Sequence, residues 1–421
     1  MLDPKPGRTR NIPRPAKLLS SARLFDAWRV SRDAGSKPGR PGIDGITSQN
    51  FRAKLDSNLR TLAKNLRDGT YGPSRLKAAF IPKENSDKER LICIPTVRDR
   101  LVQRAIIDYL VTTKRLPIYN SSSYGYIKGR GTKAAIARAT ILRGTYDWCL
   151  KIDIEAFFDR IPRSYLKSRV AAALPSHSLT PLIWRMVDCE VRETPVLKIK
   201  LQKQGIKPGV GLRQGMPLSP ILANLVLAKF DRAIQRSGIE MVRYADDILL
   251  FFHTKEAAKQ GLNFIKVELG KIGLDIPELS DSSKTKITAP FQPVDFLGRE
   301  IIYLKLAGRY VAQVSTKQIS KIKLQLENDY TYDVRRKEGS TFQETLVDLW
   351  KSVSSYFGIY KDAYNYHTLD SELRGVARKI IRGIFVDIFG EDVLANVTDD
   401  GRSFLGIGQL EIPEPVNDLE L

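Results

Sequence analysis

Residues 242–252, VRYADDILLFF, decide how this chain folds. The apolar residues on both sides of Tyr244–Asp247 predict two strands joined by a tight turn. Asp246 and Asp247 are then adjacent carboxylates at a hairpin tip with an apolar floor, where they repel each other and are poorly solvated. A bound divalent cation is the usual relief. An ordinary acidic turn is the competing interpretation, because Asp is common in turns.

A second apolar segment that ends in carboxylates lies earlier in the chain, at residues 149–159, CLKIDIEAFFD. Two strands that each bring a carboxylate to one edge of a sheet can hold two Mg²⁺ ions about 4 Å apart, which stabilises both oxygens of an in-line phosphoryl displacement. Asp153 is the candidate carboxylate of this strand. The alternative interpretation is that Asp153 caps a helix that follows the strand.

A loop rich in glycine and proline lies between these two strands, at residues 211–220, GLRQGMPLSP. It leads into an apolar helix predicted over residues 217–237, with a proline at its start. Two glycines and two prolines make the loop tight, so that a nucleotide base or a primer terminus can approach its backbone closely. The pattern alone is equally compatible with a plain loop before a core helix.

The charge of the chain favours a polyanionic partner. Its 421 residues include 68 Lys and Arg against 47 Asp and Glu, for a formal net charge of +21. The sign is uneven, because residues 386–421 carry nine acidic side chains and one basic one, whereas residues 1–40 carry ten basic and three acidic. Nucleic acid is the first candidate partner. A mixed-charge surface that serves solubility and adhesion to anionic lipid are the alternatives.

Composition excludes several other classes of protein. Three cysteines and three histidines are too few and too scattered for a disulfide scaffold or a structural zinc site. The longest apolar runs are far too short to span a bilayer. The basic, proline-containing N-terminus lacks the apolar run of a secretory signal. We therefore expect a cytoplasmic protein that has no membrane partner.

The motifs occur in an order that resembles bacterial reverse transcriptases of the group II intron and retron kind. The resemblance runs from Gly42 to Gly298 and rests on many segments in sequence rather than on one. These segments are PGIDG at 41–45, IPK at 81–83, RLICIPTVRDR at 90–100, SYGY at 123–126, GRG at 129–131, the Asp153 strand, the Gln214-Gly215 loop, the Tyr244–Asp247 hairpin, GL at 273–274, SKTK at 283–286 and FLG at 296–298.

The resemblance implies an α+β fold of the right-hand polymerase type, with fingers, a palm that carries an antiparallel sheet and the YxDD hairpin, and an α-helical thumb. Short strands predicted at 78–82 and 90–95 would form a fingers hairpin. The expected divisions are a basic arm and helix at 1–40, fingers with part of the palm at 41–145, the palm with the catalytic carboxylates at 146–300, the thumb at 301–390 and an acidic tail at 391–421.

The resemblance also assigns catalytic roles. Asp153, Asp246 and Asp247 would be the catalytic residues and would hold two Mg²⁺ ions, with Mn²⁺ as a substitute. The backbone carbonyl of Ile154 would complete a metal site. Phe158 lies where this family places the steric gate that rejects a 2′-hydroxyl.

Further residues would bind the nucleotide and the nucleic acid. Lys83 and Arg90 would hold the triphosphate, which suits a point charge and a planar fork respectively. Gln214 would line the nucleotide pocket, and Lys284 would lie near it. The residues expected to contact nucleic acid are Arg98, Arg100, Arg130 and Tyr244. For the first two, a solvated helix face is the alternative.

The absence of certain family motifs indicates which kind of bacterial reverse transcriptase this chain most resembles. No endonuclease-like Cys/His cluster follows the thumb segment, and neither the Asn-Ala-x-x-His element nor the Val-Thr-Gly signature associated with retron enzymes is present. The Gln214 loop is not the variant expected of diversity-generating systems. The chain is then most similar to the free-standing, defence-associated reverse transcriptases of bacteria, which commonly work with a non-coding RNA.

The expected function is that of an RNA-directed DNA polymerase in antiphage defence. It would copy a structured non-coding RNA with dNTPs and produce an RNA/DNA hybrid. The presence of all three carboxylates favours catalysis, because a fold that had lost its chemistry would first lose residues without a packing role. The alternatives are an RNA-binding maturase or chaperone with the same fold, and template-independent or protein-primed DNA synthesis. The sequence does not indicate an oligomeric state.

Overall fold

The structure, a computed structural model, describes residues 19–35, 39–82, 89–175, 177–280, 283–398 and 401. The chain separates into two compact units, and the division lies between Pro290 and Phe291. Three features predicted above fall outside the described residues: most of the N-terminal arm, Lys83, and the acidic tail from residue 402 onward.

The strands of the first unit form two sheets in the described part of the chain. β1 (Lys77–Pro82) pairs with β2 (Glu89–Ile94) as an antiparallel hairpin. The second sheet contains β3 (Trp148–Asp153), β4 (Glu240–Tyr244), β5 (Asp247–Phe252) and β6 (Lys286–Thr288), in the spatial order β4-β5-β3-β6. β5 is an inner strand whose residues from Ile248 to Phe252 are all buried, which accounts for the unbroken apolar run in the sequence.

Helices pack around these sheets and complete the core of the first unit. The helix Ser219–Arg236 is buried at every residue from Ile221 to Ala228, as its apolar sequence predicts. It shares one hydrophobic cluster with β3 and β5. The helices of this unit are Ser21–Arg29, Ser48–Ala53, Leu55–Asp68, Val97–Thr112, Thr132–Thr145, Phe157–Arg160, Arg163–Ala173, Thr180–Val187, Pro195–Lys203, Ser219–Arg236 and Lys255–Gly270.

The second unit begins with a small antiparallel sheet. Its strands are β7 (Val294–Phe296), β8 (Arg299–Leu304) and β9 (Arg309–Gln313), in that order. Helices follow at Thr316–Asp329, Tyr332–Lys337, Phe342–Tyr360, Tyr366–Phe389 and Glu391–Ala395. They enclose a core of their own.

Residues 299–313, at the start of the segment expected to be the thumb (301–390), form the β8–β9 hairpin, and Gly308 adopts the left-handed backbone conformation between its strands (φ 60°). The helices of this segment begin at Thr316. Ile301 is fully buried on this hairpin.

Helices combined with antiparallel sheets confirm the α+β class predicted from the sequence. None of the helices in the described ranges combines the length and the apolar character that crossing a bilayer requires.

Candidate active site

The three aspartates predicted from the sequence lie at the same edge of the sheet. Asp153 ends β3 and lies directly opposite Asp247, which begins β5. Tyr244 pairs with Asp247 across the β4–β5 hairpin, so Ala245 and Asp246 form the turn between them. Neighbouring strands lie about 4.8 Å apart, so this register brings the carboxylates within reach of one another.

Burial and a neighbouring negative charge both disfavour the ionised form of Asp246. Burial raises the pKa of Asp246 above its usual range, and the negative charge of Asp153 raises it further. A backbone hydrogen bond and the positive charges of Lys284 and Arg90 oppose this rise without cancelling it. The surroundings of Asp246 therefore disfavour its ionised form unless more positive charge is supplied.

Two lysines supply part of that charge. The Lys284 ammonium lies 3.1 Å from Asp153 Oδ2, and the Lys151 ammonium lies 3.9 Å from Asp247 Oδ1. Within the described ranges, no three Asp, Glu, His or Cys side chains converge into a ready-made set of metal ligands. The carboxylates therefore have lysine ammonium groups as neighbours in this structure.

The donor set nevertheless fits a divalent cation. Carboxylate and carbonyl oxygens are the ligands that Mg²⁺ takes in proteins. Asp153, Asp246 and Asp247 supply carboxylates, and Ile154, which directly follows β3, supplies a carbonyl. The pKa of Asp246 is raised first by burial and then by the negative charge of Asp153, and a bound cation would oppose both effects.

Phe158 is held beside the glycine- and proline-rich loop. The Leu212 N–H donates to the Phe158 carbonyl oxygen at 2.7 Å, and the Gly211 N–H donates to the Ile161 carbonyl oxygen at 2.8 Å. Gly211 has a φ of +81°, and a Cβ there would lie 2.7 Å from the same Phe158 oxygen. Glycine is therefore required for this close approach of two backbones. The Phe158 ring is half-buried and packs edge-on against Phe157, with ring centroids 5.4 Å apart.

The Gln214-Gly215 part of the loop packs against the strand β2. The Cys93 N–H donates to the Gln214 carbonyl oxygen at 2.7 Å. Gly215 has a φ of +99°, and a Cβ there would lie 2.4 Å from the Cys93 carbonyl oxygen. The loop is therefore fixed both to the fingers hairpin and to the segment that carries Phe158.

Arg90 projects from the same strand and is exposed. It is close enough to the carboxylates that its charge opposes the rise in the pKa of Asp246 caused by burial. Of the two cations predicted to hold a triphosphate, Arg90 is thus placed near the carboxylates, whereas Lys83 lies outside the described residues.

Arg100 is engaged inside the protein instead of facing a nucleic acid. Its Nε and Nη2 donate to the Asp33 carboxylate at 2.8 Å and 2.6 Å. Its Nη1 donates to the carbonyl oxygens of Arg40 and Pro95 at 3.0 Å and 2.8 Å. Only 11% of the side chain is exposed. The structure assigns Arg100 to anchoring the segment around Asp33, so the predicted contact with nucleic acid is not supported.

Arg98 is also tied to nearby protein groups. Its Nη2 donates to the carbonyl oxygen of Gly72 at 3.0 Å and to Ser74 Oγ at 3.1 Å. Its guanidinium lies over the Tyr71 ring, 5.2 Å from the centroid. About a third of the side chain remains exposed, so it can contribute charge at the surface, but most of its donors are used within the fold.

Arg130 and Tyr244 lie near the hairpin. Arg130 Nη1 donates to the carbonyl oxygen of Ser123 at 2.6 Å, and the guanidinium lies over the Tyr124 ring, 5.3 Å from the centroid. Tyr244 is half-buried, and its ring centroid lies 6.2 Å from that of Tyr126. Both remain candidates for contact with nucleic acid.

A buried polar network that was not predicted from the sequence lies beneath the turn. Arg243 and Asp231 form an ion pair in which neither side chain is exposed (0%/0%). Arg243 also donates to Asn224 Oδ1 at 3.0 Å and to Ser123 Oγ at 2.9 Å. The sequence feature that could have indicated this network is the presence of a charged residue in a mostly buried segment, Arg243 in β4 and Asp231 in the helix Ser219–Arg236.

A second missed network supports the start of the loop. Glu190 accepts from Arg213 Nε at 2.8 Å and from the Gly209 N–H at 3.0 Å, and it forms an ion pair with Arg163 at 2.8 Å. Arg163 Nε donates in turn to the Gly211 carbonyl oxygen at 2.9 Å. One carboxylate thus ties both ends of the segment that precedes Gln214.

Comparison with known proteins agrees with this geometry. Residues 81–301, just over half of the chain, match the sequence family described as "Reverse transcriptase (RNA-dependent DNA polymerase)". Protein YkfC of Escherichia coli is 28% identical over 203 residues, which cover 46% of this chain and 49% of YkfC.

Two further relatives come from mobile or retron elements. The group II intron-encoded protein LtrA of Lactococcus lactis is 23% identical over 411 residues, which cover 81% of this chain and 65% of LtrA. The retron Mx65 reverse transcriptase of Myxococcus xanthus is 28% identical over 275 residues, which cover 58% of this chain and 62% of that protein.

The chain thus spans between about half and two thirds of the length of these relatives. The resemblance to bacterial reverse transcriptases of the group II intron and retron kind is confirmed, and with it the right-hand polymerase fold. This chain belongs to the reverse transcriptase (RNA-dependent DNA polymerase) family.

Proposed function

We propose that this protein is an RNA-directed DNA polymerase that extends a primer by two-metal nucleotidyl transfer. The observation that supports this most directly is the register that places Asp153 opposite Asp247 with Asp246 in the adjoining turn. In the reaction, the 3′-oxygen of the primer would form a bond to the α-phosphorus of a dNTP, the bond to pyrophosphate would break, and the proton of the 3′-hydroxyl would be released.

The three carboxylates, with the carbonyl of Ile154, would hold Mg²⁺ or Mn²⁺. Bound divalent cations would lower the pKa of the primer hydroxyl and neutralise charge on the departing pyrophosphate. Lys151 and Lys284 balance the charge of Asp247 and Asp153 in the protein described here. We expect both lysines to turn away from these carboxylates when cations bind.

The surrounding residues would select and orient the nucleotide. Arg90 offers a planar fork for triphosphate oxygens. Phe158, whose backbone is fixed by the Leu212 N–H, would fill the space that a ribose 2′-hydroxyl needs. Gln214, fixed through its own carbonyl to Cys93, would line the nucleotide pocket. Lys83 is proposed as a second triphosphate ligand from the family resemblance alone.

The test is primer extension with the double variant Asp246→Asn, Asp247→Asn. We expect no measurable dNTP incorporation, with the melting temperature and RNA affinity close to wild type, because these carboxylates serve cations rather than the core. The matched control is Asp56→Asn with Asp68→Asn, which makes the same charge change at two exposed positions of the helix Leu55–Asp68.

Wild-type extension rates in the active-site double variant would contradict the catalytic assignment. RNA binding without any DNA synthesis by the wild-type protein would instead favour the maturase or chaperone alternative. Synthesis that needs no template would favour the template-independent alternative.

We further propose that the template is a structured non-coding RNA and that its cDNA acts in antiphage defence in the cytoplasm. Support for the RNA partner comes from the net charge of +21, which exceeds what a nucleotide pocket alone requires, and from similarity to a retron reverse transcriptase. The defence role rests on the resemblance of the motifs to defence-associated enzymes.

Sequencing of the RNA bound to the protein and of the new cDNA in cells tests this proposal, with the active-site double variant as control. We expect one dominant RNA and cDNA copied from part of it, since specificity for RNA comes from its shape and unpaired loops. A cDNA pool spread over many unrelated transcripts would rule out a dedicated template. Equal phage plaque counts with the wild-type protein and the double variant would rule out the defence role.

A further inference from the structure

Arg243 is a fully buried residue of β4, two positions before Ala245 in the hairpin turn. Its Nε donates to Asp231 Oδ1 at 2.7 Å and its Nη2 to Asp231 Oδ2 at 2.5 Å. Its Nη1 donates to the carbonyl oxygen of Ala245 at 3.0 Å and to Asn224 Oδ1 at 3.0 Å. Its Nη2 also donates to Ser123 Oγ at 2.9 Å. One side chain therefore joins the turn to three other polar groups.

The contact with Ala245 falls on a strained residue. Ala245 has a φ of +58°, in the left-handed region that non-glycine residues rarely adopt. Such a conformation persists only where the surroundings hold it, and it is characteristic of functional sites. Gly125 confines the turn from another direction, because a Cβ at that position would lie 2.7 Å from the Ala245 nitrogen. Ala245 immediately precedes the two carboxylates of the turn.

The anchors of Arg243 lie on rigid elements. Asn224 and Asp231 are both on the buried helix Ser219–Arg236, seven residues apart and hence on the same face. Asn224 Nδ2 also donates to the Gly125 carbonyl oxygen at 2.7 Å. The helix thus fixes Arg243, the turn and the segment that confines the turn.

A buried ion pair is weak evidence for stability, because the cost of desolvating two charges offsets their attraction. This ion pair also fixes the position of the guanidinium, whose Nη1 then donates to the Ala245 carbonyl oxygen. We propose that Arg243 is a positioning residue that holds the strained Ala245 peptide and thereby aims Asp246 and Asp247 toward Asp153. This inference rests on the proposed polymerase function.

The test removes the network without leaving a buried charge. The double variant Arg243→Met, Asp231→Leu replaces both partners by apolar residues of similar size, a change that is often neutral or stabilising. We expect a melting temperature near or above that of the wild type. We expect kcat for single-nucleotide extension to fall about 10- to 100-fold, because small misplacements of reacting groups are costly, while the KM for dNTP and the Kd for primer–template stay within about twofold.

Binding of Mn²⁺, followed by electron paramagnetic resonance without nucleotide or primer, is a readout independent of DNA synthesis. We expect about tenfold weaker binding in the double variant, since the carboxylates are no longer held in register. Arg243→Lys is the second variant, because a single ammonium cannot reach Asp231, Asn224 and the Ala245 carbonyl together. We expect it to fold and to show the same changes, and it decides the question if the double variant does not fold.

A core truncation at a distance controls for destabilisation. Leu59→Ala opens a cavity in the buried face of the helix Leu55–Asp68 and should lower the melting temperature while leaving kcat and Mn²⁺ affinity unchanged. A folded Arg243 variant with wild-type kcat and wild-type Mn²⁺ affinity would overturn the inference.

Failure of the proposed function gives a different result. A wild-type protein that binds Mn²⁺ but makes no DNA, with binding weakened in the Arg243 variants, would refute the polymerase function and retain the positioning role. A wild-type protein that neither binds Mn²⁺ nor makes DNA would refute both.

Discussion

Replacement of Gly215 by alanine should disturb the contact between the glycine- and proline-rich loop (residues 211–220) and the β1–β2 hairpin. Gly215 has a φ of +99°, and its missing Cβ would lie 2.4 Å from the Cys93 carbonyl oxygen and 3.0 Å from Ile92 Cγ2. The neighbouring residue Gln214 accepts a hydrogen bond from the Cys93 N–H at 2.7 Å. An alanine at this position therefore has to push the loop away from β2.

The magnitude follows from two effects. A left-handed conformation costs a residue with a Cβ about 1–2 kcal/mol, and overpacking against backbone costs about 1–3 kcal/mol. We therefore expect Gly215→Ala to lower the free energy of unfolding by about 3–4 kcal/mol, or about 10 °C in melting temperature for a unit of this size. Since ordinary contact begins at 3.4 Å, the loop must move by about 1 Å, which can reduce kcat/KM for dNTP by up to about 100-fold.

Gly209→Ala, two residues before this loop, is the matched control. Gly209 also has a positive φ (+75°), but a Cβ there would meet no atom within 4 Å. It should therefore lose about 1–2 kcal/mol from backbone strain alone, with kcat/KM near wild type. Thermal melting and single-nucleotide extension of a primer on an RNA template measure both effects.

Equal losses in the two glycine variants would refute this reasoning, because the clash with Cys93 would then contribute nothing. A large loss of stability in Gly215→Ala with unchanged kcat/KM would also contradict it, since Gln214 would not depend on this contact for its position.

Other residues give independent tests. Phe158→Ala should allow incorporation of ribonucleotides, because truncation of the ring opens space near C2′ of the sugar; an unchanged ratio of kcat/KM for dNTP and rNTP would place the gate elsewhere. Arg90→Ala should raise the KM for dNTP more than it weakens RNA binding, whereas Arg67→Ala, at an exposed position of the helix Leu55–Asp68, should change neither by much; equal losses in Arg90→Ala would indicate a contact with the nucleic acid backbone. Burial raises the pKa of Asp33, but hydrogen bonding and charge from Arg100 lower it by more, so the pKa lies below its usual range. The stabilisation that ionised Asp33 contributes is fully present above the ordinary pKa of Asp and is lost as the pH falls through the lowered value. The difference in melting temperature between wild type and Asp33→Asn should therefore hold down to about pH 5 and shrink below it.

The local elements of the site are predictable from the amino-acid sequence. Apolar runs bounded by turn residues predict the β4–β5 hairpin, β3 and the helix after the loop. Such local patterns depend only on residues that are near one another in the sequence. The sequence predicts that Asp153, Asp246 and Asp247 lie at one edge of a sheet, whereas the register that pairs Asp153 with Asp247 comes from the structure. The family resemblance added Phe158 and Gln214, whose positions depend on backbone contacts such as that between Leu212 and Phe158.

Which charged side chains are buried in ion pairs depends on tertiary packing. Arg100 and Asp33 are 67 residues apart in the chain, and Arg243 meets Ser123 across 120 residues. The sequence around a basic residue does not indicate such a distant partner. Arg100 was therefore predicted to contact nucleic acid, and no role was predicted for Arg243. The physical reason is that a charge can be buried only where distant segments bring its counter-charge and hydrogen-bond partners to it, and that coincidence is a property of the packed chain.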